Sequence, residues 1–180
     1  MQKAYAGFEG KWGRAEDPTH MMGPVASRRQ FDRVMNYIEI GKQEGARLLA
    51  GGRARPDLGT GFFIEPTCFV DVDNSMRIAR EEIFGPVLVV IPFEDEEDAI
   101  RIANDSEYGL CGGVVTADRE RGLRIARRIR AGTFSVNSGM CIAGDLPFGG
   151  YKSSGIGREW GREGIEEFLH TKAIGVGAAA

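Results

Sequence analysis

Two stretches of the sequence combine residue types that could bind and orient a small molecule. The first is Glu81-Glu82-Ile83-Phe84-Gly85-Pro86, which sets carboxylates beside an aromatic ring immediately before an apolar run. A carboxylate there can accept hydrogen bonds from vicinal hydroxyls, and a ring can pack on a flat heterocycle. An ordinary surface glutamate beside a core phenylalanine is the blander meaning of the same pair, and composition alone favours it. The second stretch is Leu146-Pro147-Phe148-Gly149-Gly150-Tyr151-Lys152-Ser153-Ser154-Gly155.

Other candidates are weaker. Gly155, Gly157 and Gly161 miss the dinucleotide-binding spacing by one position, where Trp160 stands, and no strand immediately precedes them. Gly150-Tyr151-Lys152-Ser153 is not a phosphate-binding loop, because a tyrosine separates the glycine from the lysine. The two histidines, His20 and His170, stand alone, so no metal site is expected. Cys68, Cys111 and Cys141 are widely spaced and odd in number, which suggests neither a disulfide framework nor zinc and fits a reducing cytoplasm. Six arginines between Arg119 and Arg130 could face a nucleic acid. A solvated helix face accounts for them better, since the cations gather toward the helix C-terminus and an apolar face remains.

The elements that must position these residues follow from periodicity. Ser27 with Gln30 forms a capping-box pattern, and Phe31, Val34, Met35 and Ile38 then share one face, predicting a helix from about Arg28 to Gly45. Phe62-Phe63-Ile64 and Cys68-Phe69-Val70 read as extended segments broken at Pro66. Pro86 to Phe93 reads as a strand covered on both faces, and Asp95-Glu96-Glu97-Asp98 as the acidic start of a helix using Ala99, Ile100 and Ala103. Leu110 to Thr116 and Thr133 to Asn137 are further strands, with a helix over Asp118 to Arg130 between them. A last helix is expected over Ser154 to His170, followed by a short tail holding Ile174 and Val176. Alternating strands and helices predict an α/β fold, a mostly parallel twisted sheet with flanking helices. Ligands in such sheets tend to sit at the carboxyl ends of the strands.

Bulk properties narrow the partners. With 180 residues, 42% apolar and 27% charged, the chain can bury a continuous core, and a net charge of −3 gives no general attraction to nucleic acid or an anionic membrane. No apolar run is long enough to span a bilayer, and the first residues lack a secretory signal.

Taken in order, Met22-Gly23-Pro24, the Glu81 to Pro86 motif, Asn104-Asp105-Ser106-Glu107-Tyr108-Gly109-Leu110, Ala131-Gly132-Thr133 with Val136-Asn137, and Pro147 to Glu159 with Gly164 beyond resemble the aldehyde dehydrogenase superfamily. The resemblance covers nearly the whole chain, and it implies the C-terminal portion of the catalytic domain. In that family a cysteine thiolate attacks an aldehyde, NAD or NADP is reduced, and a glutamate activates the water that hydrolyses the thioester. Carried over by motif, Glu82 would hold the nicotinamide ribose, Phe84 would pack near the nicotinamide, and Phe148 would line the substrate pocket. Ile142 and Cys141, in the variable stretch before Phe148, would help to shape that pocket.

None of the three cysteines has the family's glycine-glutamine-x-cysteine context, so no catalytic residue is assigned; residues 1–10 are similar to the helix that follows the nucleophile. The general-base glutamate, the oxyanion-hole asparagine and the Rossmann-type domain are likewise not matched. The expectation is a fragment inactive by itself, not binding the cofactor alone, with residues 1–172 a partial catalytic domain and 173–180 a tail able to form an oligomerisation strand. The intact enzyme would take a small aldehyde and assemble as a homo-oligomer. A non-catalytic binding or assembly module derived from the same fold is the alternative.

Overall fold

In the computed structural model, which describes residues 2–8, 10–139 and 142–178, a short helix α1 (Gln2–Ala6) precedes the long helix α2 (Arg28–Gln43). Ser27 starts α2 as its position predicts: extended itself, it accepts the Gln30 backbone N–H at 3.2 Å and satisfies one of the helix's orphan donors. The Gln30 side chain does not complete the box. It reaches away to the backbone of Ile83 and Phe84.

The chain divides into two compact units, Met1–Glu94 and Asp95–Ala180. In the first, β1 (Arg47–Ala50), β2 (Thr67–Val70) and β3 (Val87–Val89) form one sheet with β2 in the middle. β1 pairs antiparallel with β2 across a bulge, and β3 pairs parallel with it, Thr67 opposite Val87 and Phe69 opposite Val89. A parallel pair needs a crossover, and residues 71–86 provide it. That crossover carries the single-turn helix α3 (Arg77–Arg80) and then the Glu81 to Pro86 motif.

Val34 and Ile38 of α2 bury completely, Tyr37 nearly so, and they join Phe69, Val72, Ile78 and Ile83 in one cluster. Each such side chain contributes roughly 1.5–3 kcal/mol of burial. Tyr5 of α1 is tied to the sheet through its hydroxyl, which donates to the Thr67 carbonyl at 3.3 Å. Burial, followed by interaction with Cys68, pushes the Tyr5 hydroxyl up to about 12.

The second unit contains α4 (Glu96–Asn104), β4 (Tyr108–Gly109), β5 (Cys111–Val114), α5 (Arg119–Ala126), β6 (Thr133–Val136), β7 (Tyr151–Lys152) and α6 (Gly161–Glu166). Asp95 and Asp118 cap α4 and α5 by accepting the N–H three residues on, at 2.8 and 3.0 Å. β5 and β6 run parallel, in register from Cys111–Thr133 to Val114–Val136, with α5 as their crossover. β4 and β7 form a separate antiparallel pair. The class is α/β as the alternation implies, with parallel pairing at β2–β3 and β5–β6 and antiparallel pairing at the other two contacts.

Three local expectations are corrected. The helix expected over Ser154 to His170 is reduced to α6, because Gly155, Gly157, Trp160 and Gly161 all have positive φ and break any right-handed run before it. Phe62 and Ile64 make only isolated bridges, to Val25 and Ala54, and belong to no strand. The Pro86 to Phe93 run pairs only over Val87–Val89, and Leu88 is 46% exposed where cover on both faces was expected. Residues 171–178 have no regular structure, and Ile174 and Val176 are exposed. Among the described residues no helix is long and apolar enough to cross a membrane, and no cluster is fit for a metal ion.

Candidate functional site

In the first unit the chemistry-bearing residues sit on the loop that delivers the chain into β3. Inward and outward residues alternate along it: Ile83 is 7% exposed and Phe84 is 67% exposed, with Glu82 also open to solvent. Glu81 is the anchor. Its carboxylate accepts from the Tyr37 hydroxyl at 2.5 Å and from Arg77 Nε and Nη2 at 2.9 and 3.1 Å. The Arg77 bonds, then the Tyr37 bond, hold the Glu81 carboxyl down at about 2, and donating to that carboxylate pushes the Tyr37 hydroxyl up.

The next three residues are gripped by their backbone. Arg33 Nη2 donates to the Glu82 carbonyl at 2.6 Å, and Gln30 Nε2 donates to the Ile83 and Phe84 carbonyls at 3.0 and 2.5 Å. With its main chain fixed, the Glu82 side chain is left facing water. Phe84 adopts φ +56°, a left-handed conformation that costs a non-glycine residue about 1–3 kcal/mol and persists only where the surroundings enforce it. Gly85 follows because of closeness instead: a β-carbon there would run into Val34 Cγ2 of α2.

The second unit positions Phe148 differently. Its backbone exchanges two hydrogen bonds with Glu159, both 2.8 Å, and its ring lies against Trp160 at 5.6 Å between centroids, tilted by 37°. Trp160 has φ +59°. Arg158 Nη1 donates to the Gly150 and Gly157 carbonyls, and Lys152 Nζ donates to the Asn104 and Ser106 carbonyls at the end of α4. Two sequence motifs meet here, because a β-carbon on Gly132 would collide with the Gly149 carbonyl. Ala131-Gly132-Thr133 and Phe148-Gly149-Gly150 are therefore two sides of one close backbone approach.

Glu82 and Phe84 are thus brought together on one clamped loop, and Phe148 is paired with Trp160. Ile142 is half-exposed in the connection between β6 and β7, while Cys141 lies outside the described residues. Cys68 is buried, Cys111 is exposed, and neither is bonded to another cysteine. A cavity of about 230 Å³ elsewhere in the first unit, with Tyr5, Trp12 and Glu65 in its wall, includes none of the expected site residues. The arginine helix is partly neutralised: Arg121 and Arg128 bind Glu96 and Glu97 of α4, each at 2.5 Å.

Residue types alone missed Gln30, Arg33 and Trp160. None carries a signal in the sequence: Gln30 reads as the capping partner of Ser27, and a tryptophan gives no warning of a positive φ.

The aldehyde dehydrogenase family model matches residues 3–174. The chain belongs to the aldehyde dehydrogenase family. It is 54% identical over 163 residues to a Staphylococcus aureus (strain USA300) protein provisionally named an aldehyde dehydrogenase, a match covering 88% of this chain and 33% of the relative. Among solved structures, the Mycobacterium tuberculosis aldehyde dehydrogenase complexed with NAD+ is similar with a TM-score of 0.85 and 54% identity, over 87% of this chain and 32% of that one. Betaine aldehyde dehydrogenase from Staphylococcus aureus, also with NAD+, gives 0.89 and 42%, over 94% of this chain and 34% of that one. The chain spans about a third of the length of the relatives it matches.

Chemically, the first-unit loop of this aldehyde dehydrogenase chain offers an ionisable acceptor suited to a vicinal diol and a bare ring suited to a flat heterocycle. The second unit offers an aromatic pair suited to an apolar substituent.

Proposed function

We propose that this chain contributes to an enzyme that oxidises an aldehyde to a carboxylic acid with NAD or NADP, Glu82 and Phe84 forming the cofactor wall and Phe148, Ile142 and Cys141 the substrate wall. The observation that carries the reading is the solvent-facing Glu82 and Phe84 on a loop whose backbone is pinned by α2. That arrangement fits a nicotinamide ribose: the carboxylate accepts from the sugar hydroxyls, and the open ring takes the apolar face of the base. Bound there, a nicotinamide supplies the acceptor for the electron pair leaving the aldehyde carbon. The chain's own part is to orient that ring and to shield the aldehyde from water with Phe148.

The test is to place the chain in the Mycobacterium tuberculosis enzyme in exchange for the segment it matches. Glu82→Gln in that hybrid should weaken NAD+ binding by about tenfold, the loss of one charge-assisted hydrogen bond. Unchanged NAD+ affinity sinks the reading. The 180 residues by themselves should give no aldehyde-dependent NADH, since no cysteine stands in the nucleophile's sequence context and the partner groups act in concert with it. Steady NADH formation by purified chain contradicts this. Free Cys68 and Cys111 suit a reducing cytoplasm.

Exposed apolar residues favour an assembly role beside the catalytic one. Phe168 is 89% exposed, and Leu169, Ile174 and Val176 follow it in the open. Such surface is normally covered, so copies of the chain should associate through it, with the tail pairing as a strand. Light scattering showing only monomer counts against that.

A further inference from the structure

Gln30, Arg33 and Tyr37 recur at i, i+3 and i+7 and so form one polar stripe along α2. All three side chains are spent on the four consecutive residues Glu81 to Phe84: Tyr37 on the Glu81 carboxylate, Arg33 on the Glu82 and Ile83 carbonyls, Gln30 on the Ile83 and Phe84 carbonyls. Arg33 also lies over the Tyr37 ring at 4.9 Å, so the stripe is braced internally. What it holds is a strained turn, Phe84 at φ +56°, whose ring stays in water and gains nothing from the core. Burial of Ile83 supplies one anchor and Arg77 holds Glu81 from α3, while the stripe grips the carbonyls of Glu82, Ile83 and Phe84.

We infer that the Gln30–Arg33–Tyr37 stripe is a positioning element, fixing the loop so that Glu82 and Phe84 meet the cofactor in one geometry. Its functional half rests on the reading of those two residues as the cofactor wall. Tyr37 gives the clearest view of the mechanism, because it is only 5% exposed and its hydroxyl is committed to Glu81. Any effect of Tyr37→Phe on ligand affinity has to travel through the loop.

The loop is tested first in the chain as it stands, by amide exchange read by mass spectrometry. Tyr37→Phe and Arg33→Met should each speed exchange of the peptide spanning residues 81–86 by about fivefold or more, with peptides from β2 unchanged. Equal exchange in wild type and both variants overturns the positioning role whatever the function proves to be.

Function is then read in the hybrid enzyme as the NAD+ dissociation constant. Arg33→Met should raise it about tenfold and Tyr37→Phe about threefold, while Arg33→Lys, which keeps a donor, recovers most of the loss. Adding Glu82→Gln should shrink both effects, because a group that acts through Glu82 has less to misplace once that carboxylate is gone. Full additivity, or faster exchange with unaltered affinity, refutes the coupling to the cofactor. If Glu82→Gln alone leaves affinity unchanged, the cofactor-wall reading is what fails, and the exchange data still decide the loop.

Discussion

The two units are built on different physical terms. Of the thirteen buried apolar residues among those described, twelve lie in the first unit, and the second contributes only Ile100. In the first unit α2, β2 and the crossover close over a shared core, and the loop carrying Glu82 and Phe84 is an outgrowth of it. The second unit is held by parallel backbone pairing at β5–β6, by helix caps, by close glycine contacts and by ion pairs between α4 and α5. Several of its large side chains, Ile156, Phe168 and Leu169 among them, face outward. A candidate site residue in the first unit is therefore positioned by packing plus a polar clamp, and one in the second by backbone geometry.

The sharpest way to break this comparison is a core truncation. Phe69 is completely buried between α2 and the crossover, and Phe69→Ala should cost about 3–5 kcal/mol from lost transfer energy and the cavity left behind. Ile100→Ala, the counterpart in the second unit, should cost no more than about 2 kcal/mol, the low end for such a change. Urea unfolding of both variants decides; a larger loss at Ile100 would mean the second unit has the more important core.

Backbone closeness should matter more in the second unit. Gly132→Ala drives a β-carbon into the Gly149 carbonyl, an obstacle that has no rotamer to yield, and should cost about 3 kcal/mol, the upper end for overpacking. The same change ought to disturb Phe148, one residue from the collision. Unaltered stability, or an unaltered environment for Trp160 by fluorescence, would show that the strand ends are looser than drawn.

Legibility in the sequence follows the same division. Elements fixed by local chemistry were readable: Ser27 and the Phe31, Val34, Met35, Ile38 spacing gave α2, and the acidic run from Asp95 gave α4. Elements fixed by distant partners were not: β1, β7 and the single turn of α3 have no local pattern to show them. The last helix was overextended because apolar spacing carries no information about left-handed backbone at Gly157 and Trp160. For the site, motif resemblance pointed to Glu82, Phe84 and Phe148 where composition favoured a buried Phe84, and the ring is in fact exposed. The grip of Gln30, Arg33 and Tyr37 on that loop has no local pattern because their contacts span 44 to 54 positions.

The anchor at Glu81 should give the first unit a distinct acid response. Its carboxyl is held at about 2 against an ordinary 4.5, so the ionised form is the one the fold stabilises. That contribution is complete above pH 4.5 and drains away as pH falls toward 2. Because the side chain is 41% exposed, solvent screening reduces it to about 1 kcal/mol. Glu81→Gln should be less stable than wild type by that amount at pH 7 and equal to it near pH 2, and a difference independent of pH would remove Glu81 from its role.

The smallest effect belongs to the surface pairs of the second unit. Arg128 meets Glu97 through two short bonds, which raise the arginine's pKa and lower the glutamate's, yet both groups are well exposed. In water two long side chains gain little by being held together, and salt screens what they gain. Arg128→Met should therefore destabilise only slightly, and the difference should vanish at high salt. Glu97→Gln should behave alike, and the double variant should be no worse than either single one. A loss that persists in high salt would mean instead that the aliphatic stem of Arg128 packs against α4, giving the second unit an apolar contact its exposed surface does not reveal.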